Sequence, residues 1–96
     1  MTIDSGEFQT RLRTMLGLHS MELGDEELAR MADRYPLCTG TERWDVRQYA
    51  GGGGMGAREF RVLRGTRTQH VYRSTERMQA DAVGVALNAM EAEDTP

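Results

Sequence analysis

Ninety-six residues, 39% hydrophobic and 28% charged with a formal net charge of −3, describe one small α+β-sized domain with room for a modest core. A single cysteine, Cys38, excludes an internal disulfide and a cysteine-based zinc site. No apolar run approaches the roughly 18 residues that a membrane helix needs. With an acid at Asp4, where a signal peptide carries basic charge, the expected compartment is the reducing cytoplasm, with no membrane contact.

All twelve basic residues are arginine. Eight of them, Arg43, Arg47, Arg58, Arg61, Arg64, Arg67, Arg73 and Arg77, share their stretch with only three acids, a local charge of +5. The remaining four arginines stand among twelve acids, a charge of −8. A positive middle between negative ends suggests a binding surface.

In chain order, Phe8, Leu12, Met15 and Leu16 recur at three- and four-residue spacing, which predicts an amphipathic helix over Ser5–Leu18 capped by Asp4 or Ser5. A second helix opens at Gly24-Asp25. Asp25, Glu26 and Glu27 lie in its positive first turn, Leu28, Met31, Ala32 and Tyr35 form its inner stripe, and Pro36 stops it.

The period then changes to two. Residues 43–49 read as a half-buried strand, and AGGGGMGA at 50–57 as a loop. Residues 59–64 and 67–73 read as two further strands joined by a two-residue turn at Gly65-Thr66. That turn sets Arg64 opposite Arg67, Val62 opposite Gln69 and Phe60 opposite Val71. It turns Phe60, Val62 and Val71 inward, and Glu59, Arg61, Leu63, Thr68, His70 and Tyr72 outward, beside Arg43, Asp45, Arg47 and Tyr49 of the first strand.

A last helix, capped by Ser74 or Thr75, runs from Glu76 to about Glu91 on Val83, Ala86, Leu87 and Met90, extended by Met78 or Gln79. Glu91, Glu93 and Asp94 read as a solvated end, and the tail from about residue 92 as frayed. The expected fold is α+β in the order ααβββα, one domain over 1–96. Its helices cover one face of a three-stranded antiparallel sheet and leave the other open.

No catalytic constellation emerges. The glycine run lacks the lysine and the following helix of a phosphate-binding loop. Cys38, His19 and His70 do not converge in sequence on a base, a nucleophile or a ligand set, and Cys38 reads as a small semi-buried thiol. The paired acids at Asp25–Glu27 are explained by the helix dipole. No metal or cofactor is expected.

The second half resembles the β-β-β-α portion of a double-stranded-RNA-binding domain. Residues Ser74-Thr75-Glu76-Arg77 through Ala86-Leu87-Asn88-Ala89-Met90 are similar to that family's alanine-rich closing helix. The family opens this helix with a phosphate-gripping lysine cluster, where this chain has Thr75, Glu76 and Arg77. Its Pro–His loop feature is replaced by AGGGGMGA, so the RNA-binding residues do not carry over.

The expected function is therefore a small non-catalytic binding or regulatory protein. It would dock stoichiometrically on a protein partner through Arg43, Arg47, Tyr49, Arg61, His70 and Tyr72. Inhibitors of nucleic-acid machinery, a phage counter-defence protein among them, fit this size and charge. The alternative is RNA or DNA binding through the same arginine and aromatic face. Two sheet edges also allow a homodimer.

Overall fold

The computed structural model describes residues 3–38, 40–50, 58–65 and 69–94. The helices are α1 (Ser5–Gly17), α2 (Asp25–Arg34) and α3 (Arg77–Asp94). The strands are β1 (Trp44–Ala50), β2 (Arg58–Arg64) and β3 (Tyr72–Ser74), and a 3-10 turn (Tyr35–Leu37) follows α2. The order is ααβββα, an α+β arrangement, and the sheet is antiparallel in the order β1-β2-β3. Most of the glycine-rich loop (51–57) and part of the Gly65-Thr66 turn lie outside the described residues.

Each helix buries the stripe its sequence carries. In α1, Phe8, Leu12, Met15 and Leu16 turn inward, and the Asp4 carboxylate accepts the Gly6 N–H at 3.2 Å. In α2, Leu28, Met31 and Ala32 are buried behind the acidic first turn. Pro36 lies in the 3-10 turn that ends this segment. In α3, Ala80, Val83, Gly84, Ala86, Leu87 and Met90 face inward. α3 lies against all three strands, and α1 packs on α3 and α2. Gly84 lets the helix approach closely: a methyl group there would stand 3.4 Å from a Val46 methyl carbon.

The β2–β3 register differs from the two-residue hairpin. Val62 pairs with Tyr72, Arg61 with Arg73 and Phe60 with Ser74. The pairing is displaced by three positions, an odd number, so β3 presents the opposite faces. Tyr72, expected outward, is buried, and its hydroxyl meets Gln79 Oε1 at 3.3 Å. Arg73 takes the outward place. Long-range contacts account for the difference. The Arg34 guanidinium donates to the His70 carbonyl, which ties the segment before β3 to α2. Val71 is buried, as expected, and its N–H donates to the Val62 carbonyl at 2.9 Å, which fixes the displaced pairing.

Arg64 is the one buried charged residue of the described chain, 5% exposed. Alternation places it on the core face with Phe60 and Val62. Its guanidinium lies 3.9 Å from the centre of the Trp44 ring and 5.9 Å from that of Tyr35. It donates to both Glu91 carboxylate oxygens, at 2.6 and 3.2 Å, and to the Gly40 carbonyl at 2.9 Å. Tyr35 donates to Glu91 at 2.6 Å and stands 4.6 Å from the Phe8 ring. Burial and this bond to the carboxylate push the Tyr35 hydroxyl up to about 12. Arg64 Nε and Trp44 Nε1 have no hydrogen-bond partner among the described residues.

Glu91 is thus a structural counter-charge rather than part of a solvated end. The tail is also held in helix through Asp94: Arg11 donates to Asp94 and to the Met90 carbonyl, both at 2.9 Å. Asn88 bonds both backbone groups of Trp44, accepting its N–H at 2.7 Å and donating to its carbonyl at 3.1 Å. Met78, offered as an extension of the inner stripe, is 84% exposed.

Two stability measurements check this arrangement. Tyr72→Ala should cost about 3 kcal/mol or more in urea unfolding, as for loss of a buried aromatic ring. Arg73→Ala should cost only about 0.5 kcal/mol; the reverse order would restore the two-residue hairpin. Glu91→Ala should cost about 3 kcal/mol, because it strands a buried cation, while the Arg64→Met/Glu91→Leu double variant should regain most of that.

Candidate binding face and adjoining pocket

Among the described elements, no helix is stacked on the sheet face opposite α3. Alternation from the register assigns that face Asp45, Arg47 and Tyr49 of β1, Glu59, Arg61 and Leu63 of β2, and Arg73 of β3. Arg47, Arg61 and Arg73 are direct neighbours in register and form one row across all three strands.

The row is neutralised in part where it stands. Arg61 pairs with Glu59 at 2.8 Å, Arg73 with the same carboxylate at 3.4 Å, and Arg47 with Asp45 at 3.6 Å. The Arg61 bond, ahead of other influences, holds the Glu59 carboxyl below its ordinary value. The Arg61 guanidinium also lies 4.4 Å from the centre of the Tyr49 ring, a cation–π stack. Arg47 donates to the Gly65 carbonyl at the end of β2, where a left-handed glycine (φ 61°) turns the chain. Leu63 shares this face but is fully covered and stands outside the main core cluster.

Of the residues expected on the face, Arg47, Tyr49 and Arg61 come together there. Arg43 is exposed just before β1 and lines a separate groove of about 500 Å³ with Val85 and Asn88 of α3. Tyr72 belongs to the core. His70 precedes β3 and is half-buried at the corner where β3 meets α2. Arg73 was missed because the assumed hairpin register turned it inward.

That corner holds a pocket of about 360 Å³, lined by Arg30, Arg34, His70 and Arg73 with Glu27, over buried Val71 and Tyr72. Arg30 bonds Glu27 at 2.8 Å. Arg34 bonds the His70 carbonyl and, at 3.4 Å, Gln69 Oε1, and has no acidic partner among the described residues. Burial first, then the charges of Arg34, Arg61 and Arg73, depress the His70 imidazole below its ordinary value, against a smaller opposite pull from Glu59.

Cys38 is buried, its thiol 3.5 Å from the Gln69 carbonyl, and burial pushes that thiol up. Among the described residues no group of three or more His, Cys, Asp and Glu could hold a metal ion, and no helix is long and apolar enough to cross a membrane.

No family model, curated protein or solved structure matches this chain. The resemblance of the second half to a double-stranded-RNA-binding domain therefore stands on the alanine-rich helix and the β-β-β-α order alone.

Titration of His70 checks the electrostatics of the corner. By NMR it should titrate below about 6.5, and Arg34→Met should raise its midpoint by removing a cation. Because the folded state favours the neutral ring, the unfolded chain takes up the proton first as pH falls. The His70 contribution to stability is thus present above about pH 6.5 and lost below it. A midpoint unchanged by Arg34→Met would show that the two groups do not interact.

Proposed function

We propose that this chain is a small non-catalytic docking protein that acts stoichiometrically by applying its open sheet face to a protein surface of mixed charge. The observation that carries this reading is the row Arg47, Arg61 and Arg73, set across three strands and already paired in place with Asp45 and Glu59. Three cations and two anions leave an excess of one positive charge on the face.

Binding to a phosphate backbone draws its strength from cations that displace counterions. Here each arginine of the row would first have to leave a carboxylate. A protein surface can answer the face group by group, with an acid for the spare charge, donors for Asp45 and Glu59, and an apolar or aromatic group on Tyr49. Regulation or inhibition of nucleic-acid machinery, as by a phage counter-defence protein, is one form such docking would take, in the cytoplasm.

One observation favours nucleic acid as a second reading. Arg61 stacked on Tyr49 offers the kind of platform on which unpaired bases lie.

Comparative pull-downs separate the readings. An Arg61→Glu/Arg73→Glu bait should lose a partner that both the wild type and a Met78→Ser control retain; identical partner sets would remove the face from the account. RNA and DNA, double- and single-stranded, should fail to bind at low salt. Affinity that is strong there and falls steeply with added salt would establish the second reading instead. A solution mass of twice the chain, reduced to one by the double variant, would identify the partner as a second copy.

A further inference from the structure

We propose that the corner between α2 and β3 is an oxyanion subsite that takes a phosphate monoester or inorganic phosphate between Arg30, Arg34 and Arg73. Three arginines from two elements line one pocket of about 360 Å³. Glu27 is the only carboxylate that lines it with them, and Glu59, outside the lining, is shared by Arg73 and Arg61, so the four arginines and two carboxylates of the corner carry a net charge of +2. A phosphate monoester carries a charge of about −1.5 to −2 at pH 7 and matches that excess. A phosphodiester or a carboxylate carries one charge and matches half of it.

The arginines are held for such a ligand. Arg34 commits two of its donors, to the His70 carbonyl and Gln69, which fixes the plane of the guanidinium while other N–H groups stay available. Arg30 is steadied by Glu27 at 2.8 Å. Arg73 is 65% exposed at its side chain and reaches Glu59 only at 3.4 Å, so it can swing toward an incoming anion. The floor is the buried pair Val71 and Tyr72, with the tyrosine hydroxyl engaged by Gln79.

His70 makes the site responsive to pH. The groups acting on it are Arg34 of α2, Arg61 and Glu59 of β2, and Arg73 of β3. Burial first, and then the cations among them, favour the neutral ring; a bound dianion opposes those cations and favours the imidazolium, so anion and proton bind cooperatively. Arg73 also belongs to the arginine row of the sheet face, and the subsite adjoins that face. The subsite does not depend on the docking reading, since phosphate can bind here whether or not the face has a partner.

The test is an NMR titration of the intact chain with inorganic phosphate, O-phosphoserine, dimethyl phosphate and acetate, each against chloride at matched ionic strength. His19, on the exposed turn after α1, serves as the internal control for screening. Phosphate and O-phosphoserine should raise the His70 midpoint and leave His19 with the chloride control. Arg34→Gln and Arg73→Gln should each weaken binding about ten-fold, the order of one charge-assisted hydrogen bond. Arg73→Gln alters an exposed side chain, so it reports on the site even where Arg34→Gln disturbs the fold.

Tighter binding of O-phosphoserine than of inorganic phosphate would point to a phosphorylated protein as the source, and the reverse order to the free ion. Acetate or dimethyl phosphate acting as strongly as phosphate would overturn the proposal. So would a His70 response no larger than that of chloride, or one unchanged in Arg73→Gln.

Discussion

A guanidinium placed inside a small core needs a counter-charge and hydrogen-bond acceptors in place of water, and the burial of Arg64 organises this protein accordingly. Its charge is met by Glu91 of α3, its flat face by the Trp44 ring of β1, and one further donor by the carbonyl of Gly40. Tyr35, from the turn after α2, donates a further hydrogen bond to Glu91 and carries the contact on to Phe8 of α1. Elements far apart in sequence thus converge on one cation. The backbone on either side takes conformations that side chains rarely adopt: Gly40 has φ 148° and Gly65 φ 61°, and a Cβ at Gly40 would also stand 3.2 Å from the Arg64 side chain. Truncating one partner of such a pair is costly, while an apolar substitute for both can be nearly neutral.

The helices were legible because their information is local. Each inner stripe repeats at three- and four-residue spacing, and Pro36 and the acids at 25–27 mark the limits of α2. Strands β1 and β2 were legible for the same reason, through alternation. The β3 register was not, because Gly65-Thr66 offers a tight turn that satisfies every local rule. What overrides it lies elsewhere: Arg34 holding the His70 carbonyl, and the need to bury the Tyr72 ring against α3. Arg64 shows a different kind of failure. Alternation with Phe60 and Val62 already turned it inward, but a lone arginine beside a turn reads as solvated until its counter-charge is found, and Glu91 lies 27 residues further on.

The same register decides what the basic middle of the chain can do. Arginines of the +5 stretch part company in space: Arg64 is consumed by the core, Arg43 lines a groove beside α3, Arg47, Arg61 and Arg73 share a face with two acids, and Arg73 also borders a pocket with Arg30 and Arg34. The last two come from the acidic first half of the chain. The arginine cluster at that corner is thus built from both halves of the chain, which a charge profile along the sequence would not reveal. Tyr49 and Arg61 were identified from alternation alone; Arg34 and Arg73 required the fold.

Asn88 has a consequence for how the protein behaves among other copies of itself. β1 is an edge strand, and an edge strand displays backbone donors and acceptors that can template another chain. By engaging both the N–H and the carbonyl of Trp44, the Asn88 amide occupies the place of a neighbouring strand at the start of that edge. A chain arriving to extend the sheet there finds its hydrogen bonds already made, and a helix in its path. A single amide on α3 thereby serves as a guard against fibril-like growth at the point where the edge meets the core.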